Sequence, residues 1–444
     1  MIVEIVNTGS ELMLGRVLNT HQQWLCRRLA DLGHVVTRQV AVADTGSEIQ
    51  TAVREALGRA DLVITTGGLG PTSDDITREL IAGMLGKKLV ENKEVMAHIE
   101  GYFARRNRPR PPKTSVETFV PEGALVFINQ NGTAPGLAME VNAECGVRSA
   151  DLGEHSTFNA EHSTPNIQGG GKAGSKKWLV MLPGPPRELR PMFDDAVVPL
   201  LKREFAGETF VCRTLRSTSV GESRVQEAIE SWLQPLVQRG LEIGYCARPW
   251  SVDVRLTAAG ADAAQIVGEG EAIVQRILGK HIFGFDDDEI EHVIVRLMTE
   301  KKLTLALAES CTGSNIAHRL TNVPGASAIL LGGVVSYHNS AKEKLIGVRA
   351  ETLQEHGAVS EAVAREMALG AREKFGSDFA IAVTGIAGPG GGSAEKPVGT
   401  VFIALASATG VEVEKMLNPW DRATFKEVTV TQALERLRTY LVSA

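Results

Sequence analysis

The run Leu303-Thr-Leu-Ala-Leu-Ala-Glu-Ser-Cys-Thr-Gly-Ser314 reads as a strand, a tight turn and the start of a helix. Ser310 stands on that turn, just past the strand, where a hydroxyl is exposed. The backbone N–H groups of Thr312 and Gly313 open the helix, and such donors suit a developing oxyanion. The same segment is equally compatible with Ser310 or Thr312 serving only as an N-cap. A hydroxyl nucleophile needs a base. His318, His338 and His356 are near in sequence. The segment Val335-Ser-Tyr-His-Asn-Ser-Ala-Lys342 offers another choice, because a strand ends at Tyr337 and a helix begins near Ala341. A partly desolvated lysine can act as a general base. The third stretch, Thr384–Thr400, follows another strand and is rich in glycine, including Gly385, Gly388, Gly391 and Gly392, with Ser393 and Lys396. Its amides and Lys396 could hold a phosphate. It lacks the Walker A spacing, and a plain hairpin loop is the other reading.

The N-terminal half carries a second set: Gly9-Ser10-Glu11, Asn19, Thr66-Gly67-Gly68-Leu-Gly70-Pro-Thr72-Ser-Asp74-Asp75, and Asn131-Gly132. A glycine turn at a helix N-terminus is an anion seat. Asp74 and Asp75 could bind a divalent cation beside a pyrophosphate, or Asp74 could cap the following helix.

The elements that must position these residues follow from hydrophobic periodicity. Residues 1–90 alternate as strand Ile2–Val6, helix Asn19–Leu32, strand Val35–Val42, a helix from an N-cap at Ser47 to about Arg59, strand Leu62–Thr65 and helix Ile76–Leu85. That order predicts a parallel sheet with helices on both faces, whose ligands bind beyond the carboxyl ends of the strands. Residues 142–177 are polar and glycine-rich and read as a loop or insertion. An apolar pattern resumes at Trp178–Leu182. A small α+β unit is expected over about 205–285, with Asp286–Asp288 as linker. Strands and helices alternate again over 289–444.

The chain has 444 residues, 43% hydrophobic and 23% charged, which suits two to four soluble domains, with three as the central expectation. Only 5% is aromatic and the net charge is −6, which argues against stacking platforms and basic surfaces for nucleic acid. The short run Arg105–Arg110 is the exception and reads as a solvated connector or an anion contact. Five cysteines without a CxxC pair argue against a disulfide framework or a zinc site. No apolar stretch approaches the ~18 residues of a membrane span, and the N-terminus lacks a signal pattern. The expectation is a cytoplasmic protein with no direct nucleic-acid or membrane contact.

The C-terminal segments together resemble the CinA C-terminal family of nicotinamide-nucleotide amidases, whose pattern is AESCTGG, YxNxAK and GIAGPxGGSxEKPVGT. Here they read Ala308–Ser314, Tyr337–Lys342 and Gly385–Thr400. Ser314 replaces the second glycine, and His338 stands where serine is common. The resemblance implies hydrolysis of nicotinamide mononucleotide to nicotinate mononucleotide and ammonia without a cofactor. It makes Ser310 the nucleophile, Lys342 its base and Tyr337 an assisting hydrogen-bond partner. Glu309, Thr312, Gly313 and the Gly388–Lys396 loop would contact substrate. Residues 1–141 and 178–195 resemble the CinA N-terminal domain, related to molybdopterin-binding proteins. That likeness implies ADP-ribose pyrophosphatase activity with Co²⁺ or Mg²⁺. The middle unit resembles a KH-type fold without its GxxG loop. The expected domains are 1–177, 178–286 and 287–444, in a homodimer. The competing readings are a molybdopterin-type binding module and a competence or DNA-damage scaffold without hydrolysis.

Overall fold

The computed structural model describes residues 1–141, 176–205 and 209–443. The polar stretch expected over 142–177 lies, apart from its last two residues, outside these. The chain divides into two compact units, one formed by residues 1–211 with 259–261 and the other by 212–258 with 262–444.

In the first unit the strands are β1 Val3–Thr8, β2 Val36–Val42, β3 Leu62–Thr66, a separate pair β4 Leu89–Glu91 and β5 Phe119–Pro121, then β6 Leu125–Phe127, β7 Gly136–Val141 and β8 Lys177–Leu182. The main sheet has the order β2-β1-β3-β8-β7-β6. Its first four strands are parallel, while β7 runs antiparallel to β8 and β6 antiparallel to β7. The three strands read over residues 1–90 are parallel as expected, and β7 and β6 add an antiparallel edge. Every residue of β1 and β3 is buried, as strands covered on both faces require. Leu25, Leu29, Phe193 and Leu189 pack on one face, and Ile49, Val53, Leu57 and Ile81 on the other.

Three expectations change here. β8 pairs with β3 in the middle of this sheet, so a boundary after residue 177 would cut through it. The helix expected from Ser47 spans Gly46–Arg59 with Thr45 at its N-cap. Asn19 caps the helix Thr20–Asp31 by accepting from the Gln22 N–H at 3.2 Å.

The second unit opens with a four-stranded sheet of β9 Phe210–Thr218, β10 Glu242–Arg248, β11 Ser251–Ala259 and β12 Ile282–Phe285, in the order β10-β11-β9-β12. The helices Glu222–Val237 and Ala263–Leu278 pack against one another beside it. The expected linker Asp286–Asp288 is pinned. Asp286 Oδ1 accepts from Thr214 N, and Asp288 Oδ2 accepts from Phe285 N.

The rest of that unit is a five-stranded sheet of β13 Leu305–Glu309, β14 Leu330–Val335, β15 Phe379–Gly385, β16 Thr400–Ser407 and β17 Gly410–Leu417, in the order β14-β13-β15-β16-β17. β13 is parallel to both β14 and β15, and the other two pairings are antiparallel. One face packs on Ile294, Met298, Phe425 and Leu434, the other on Val363, Met367 and Ala371. Glu309 sits opposite both Val335 and Val383, so β13 and β14 end at one level and β15 runs two residues further.

The turn after β13 contains the departure from the family pattern. Ser314 is the N-cap of the helix Asn315–Thr321 and adopts φ 74°, ψ 11°, the left-handed region. A Cβ there costs about 1–2 kcal/mol, against about 0.5–1 kcal/mol of extra entropy that glycine loses on folding. Ser314→Gly is expected to stabilise the chain by about 0.5–1 kcal/mol, read as a raised midpoint in denaturant unfolding. A lowered midpoint would mean that the serine hydroxyl has a compensating role.

Candidate active site

Ser310 begins where β13 stops. Its N–H donates to Val383 O at 3.0 Å, which ties the turn to β15. Its Oγ lies 3.1 Å from Lys342 Nζ, and the same Nζ donates to Ser336 O at 2.6 Å. Lys342 is only 1% exposed although it sits on the first turns of the helix Asn339–Ile346. Desolvation pulls its pKa below the usual 10.5, and no carboxylate offsets that shift. A neutral amine has two N–H donors and one lone pair. One N–H serves the Ser336 carbonyl, and the lone pair can accept the Ser310 hydroxyl proton.

The N-cap reading of Ser310 and Thr312 is displaced by a different cap. Glu309, buried, accepts Ile316 N at 3.1 Å, Ala317 N at 2.9 Å and Thr312 Oγ1 at 2.7 Å. Glu309 and Thr312 therefore hold the turn together, and neither side chain is left to meet a substrate. Of the two amides expected to face an oxyanion, Gly313 N–H donates to Ser310 O at 3.2 Å. Thr312 N–H has no backbone acceptor among the described residues and lies against the Cys311 sulfur. Cys311, next to the nucleophile, is buried, and that burial pushes its thiol up to about 12.

Tyr337 is 61% exposed and does not bond to Ser310 or Lys342. Its hydroxyl accepts from Arg422 Nη2 at 2.7 Å, and Arg422 Nη1 donates to Gly388 O at 2.9 Å. Arg422 thus ties the end of β14 to the glycine loop after β15. It follows Trp420-Asp421 with no spacing cue, and sequence reasoning missed it. His338 is an N-cap whose Nδ1 accepts from Ser340 N, and His318 sits against Asn322. Neither histidine is paired with Ser310.

The glycine loop also differs from expectation. A Cβ at Gly392 would come within 2.7 Å of Val398 N, so the missing side chain lets the loop pack on itself. Ser393 Oγ accepts from Lys396 N, and Lys396 Nζ donates to His356 O at 2.8 Å. Gly385 lies inside β15, while Gly388 and Gly391 have positive φ. The loop is an ordered flap whose lysine is already engaged.

In the first unit a cavity of about 350 Å³ opens at the ends of β1, β3 and β8. It gathers Gly9, Glu11, Gly67, Gly68, Gly70, Asp74 and Asp75. Gly68 must be glycine, since a Cβ there would stand 1.9 Å from Thr77 Oγ1. Ser10, Asn19, Thr72 and Gly132 do not line it. Ser10 is locked with Asp44 through Ser10 N to Asp44 Oδ2 and Asp44 N to Ser10 Oγ. Thr72 N donates to Asp75 Oδ2 at 3.0 Å. Gly132 leaves room for the Glu188 carboxylate.

Sequence reasoning missed Asp44, Glu117 and Glu188, which also line this cavity. Glu117 is 0% exposed. Its Oε1 accepts from Thr133 Oγ1 at 3.0 Å, and its Oε2 has no partner. Burial pushes its carboxyl up to about 7, against the pull of Thr133 and Arg78. Among the described residues no group of three or more His, Cys, Asp or Glu is arranged so as to hold a metal ion.

Three family descriptions cover the chain: a probable molybdopterin binding domain over 4–203, the damage-inducible protein CinA KH domain over 212–284 and the CinA C-terminal domain over 287–441. A putative competence-damage inducible protein of Caldicellulosiruptor bescii is 39% identical over 445 residues, covering 100% of both chains. A CinA-like protein of Akkermansia muciniphila is 40% identical over 437 residues, 98% of this chain and 96% of its own. Among solved structures, the competence/damage inducible protein CihA of Agrobacterium tumefaciens is 45% identical over 33% of this chain and 91% of its own, with a TM-score of 0.33. Full-length likeness to these relatives, with all three domain descriptions in the same order, makes this chain a member of the CinA family, with a molybdopterin-binding-like first domain and a KH-type second.

Proposed function

We propose that the C-terminal domain is an amidase that hydrolyses the carboxamide of nicotinamide mononucleotide. The observation that carries this reading is a lysine amine, desolvated by burial and with no carboxylate against it, 3.1 Å from a serine hydroxyl at a strand end. Neutral Lys342 takes the Ser310 proton as Oγ attacks the amide carbon. The carbonyl electrons move to oxygen. The Lys342 ammonium then gives its proton to the leaving nitrogen, the C–N bond breaks and ammonia departs. Water, deprotonated by the again neutral Lys342, attacks the Ser310 ester. The C–Oγ bond breaks, the proton returns to Oγ and the nicotinate product is released. Arg422 ties the glycine loop to Tyr337, and Tyr337 acts through that clamp as a positioning residue.

The first domain, in this proposal, is an ADP-ribose pyrophosphatase that works with a divalent cation. The glycine turn at the end of β3 suits phosphate oxygens. Yet its cavity is ringed by Glu11, Asp44, Asp74, Asp75, Glu117 and Glu188, with no basic residue in the lining. A bare diphosphate would be repelled there, whereas a cation–diphosphate pair fits. A hard cation such as Mg²⁺ takes one or two carboxylates plus substrate phosphates rather than a closed protein cage. The unpartnered Glu117 Oε2 and the exposed Asp74 are the groups free to meet it. When bound, such a cation would neutralise the diphosphate and polarise the bond to be broken. The protein is proposed to act in the cytoplasm as a homodimer.

Ammonia release from nicotinamide mononucleotide tests the first assignment. Ser310→Ala and Lys342→Met are expected to lower kcat on the order of 10³-fold or more. An inactive wild type, or a Ser310→Ala variant at full rate, would remove the amidase reading. Because the base must be neutral, kcat/KM is expected to rise with pH through one ionisation lying below 10.5 and to fall away on the acid side. A profile flat from pH 5 to 10 would exclude Lys342 as base. For the first domain, phosphate-coupled turnover of ADP-ribose should require added Co²⁺ or Mg²⁺. Glu117→Gln should lower it by roughly tenfold or more while ammonia release stays intact. Turnover unaffected by chelator or by Glu117→Gln would sink the assignment.

A further inference from the structure

The KH-type and C-terminal domains enclose a cavity of about 690 Å³ that shares no lining residue with the Ser310 crevice. Small-molecule sites span about 300–1,000 Å³ and favour domain interfaces. The KH-type domain lines this cavity with Ser219, Trp250, Lys280 and His281, and the C-terminal domain lines it with Glu412, Glu414 and Arg436.

The rim on the KH-type side is strained and braced. Trp250 is the second residue of the two-residue turn between β10 and β11, whose flanking pair is Arg248 and Ser251. It adopts φ 68°, a region that suits glycine or asparagine and penalises a Cβ. Ser219, across from it, adopts φ 61°. Trp250 O accepts from Ser219 N at 3.4 Å and from Thr218 Oγ1 at 3.1 Å, and His281 Nδ1 donates to Thr218 O at 3.2 Å. Three loops are thereby laced into one rim. Strain of this kind persists only where the surroundings over-determine it, and it clusters at binding sites. What the strain retains is the indole, which is 37% exposed and has no hydrogen bond, ring contact or cation against it among the described residues.

The charges of the two walls differ. Glu412 and Glu414 stand two apart on β17, so they share a face. Both are bound to one guanidinium, that of Arg436, which leaves one negative charge in surplus. Glu435, also in the lining, is paired with Arg438. On the KH-type wall Lys280 is exposed and forms no ion pair among the described residues. An indole face beside surplus negative charge attracts a flat cation, and the unpaired ammonium attracts an anion. One kind of molecule carries both, a planar cationic ring on a phosphate arm, which is the chemistry of an oxidised pyridine nucleotide.

We propose that this cavity is a binding site for an oxidised pyridine nucleotide, its cationic ring on Trp250 beside Glu412 and Glu414 and its phosphate on Lys280. The site requires neither the amidase nor the pyrophosphatase reading.

Titration calorimetry on the full-length Ser310→Ala chain, without added divalent cation, tests it with NAD⁺ as the probe. NAD⁺ should bind about tenfold or more tightly than NADH, whose nicotinamide ring is neutral. It should also outbind 1-methylnicotinamide, which has the ring but no phosphate, and Lys280→Ala should narrow that second gap. Trp250→Gly should raise the unfolding midpoint, because glycine relieves the turn, and yet weaken NAD⁺ binding about tenfold. Lost affinity in a stabilised chain cannot come from misfolding. Trp250→Phe should keep most of the affinity. The comparison of NAD⁺ with NADH needs no variant and decides the matter if Trp250→Gly folds poorly. Equal affinity for the two, no NAD⁺ binding at millimolar concentration, or NAD⁺ binding that Trp250→Gly leaves unchanged would overturn the site.

Discussion

An isolated ammonium cannot be kept charged in a protein interior at tolerable cost, and Lys342 is buried without a carboxylate to meet it. Much of the C-terminal domain can be read as a consequence. The carboxylate nearest in sequence to the nucleophile, Glu309, spends its two oxygens on helix amides and a threonine hydroxyl. Had it faced Lys342, the pair would have held the amine protonated and useless as a base. The neutral partner instead is the Ser336 carbonyl, supplied by the strand end next door. Carboxylate and amine are kept apart by the turn geometry, and that separation is what the proposed serine–lysine chemistry requires.

The sheet provides the common level on which this works. β13 lies between two parallel neighbours, and Glu309 is in register with Val335 and Val383. The residues one position on, Ser310 and Ser336 just past their strands and Thr384 near the end of β15, therefore lie side by side. The first unit uses the same device with opposite electrostatics. β1, β3 and β8 also end together, but their loops gather carboxylates where the C-terminal loops gather amines and amides. One architectural rule, that ligands bind beyond the carboxyl ends of parallel strands, thus underlies both proposed sites, one for a neutral amide and one for an anion that arrives with its cation.

What was legible in the sequence was whatever is written locally. Apolar strands ended by glycine turns marked both crevices, and Ser310, Tyr337 and Lys342 stand in such turns. What was illegible depends on contacts between distant segments. Arg422 looks like any surface arginine until the fold brings it to Tyr337 and Gly388, and Glu117 becomes unusual only through burial. β8 was assigned to the wrong side of a boundary because a long polar stretch separates it from β7, whereas pairing ignores that distance. The glycine-rich loop misled in the opposite direction. Its composition is what close approach to a ligand would demand, but close approach of the loop to its own Val398 demands the same composition. Lys396 followed the same pattern, since a cation in a loop gives no sign of whether a carbonyl already holds it.

Cys311 is the immediate chain neighbour of Ser310, the proposed nucleophile. In principle its sulfur is the better nucleophile, yet burial holds it as a protonated thiol up to about pH 12, and the thiolate is the form that reacts. The chain therefore presents adjacent oxygen and sulfur and lets solvent exclusion choose between them. In the proposed amidase, turnover would then be insensitive to the oxidants and alkylating agents that disable thiol-dependent enzymes.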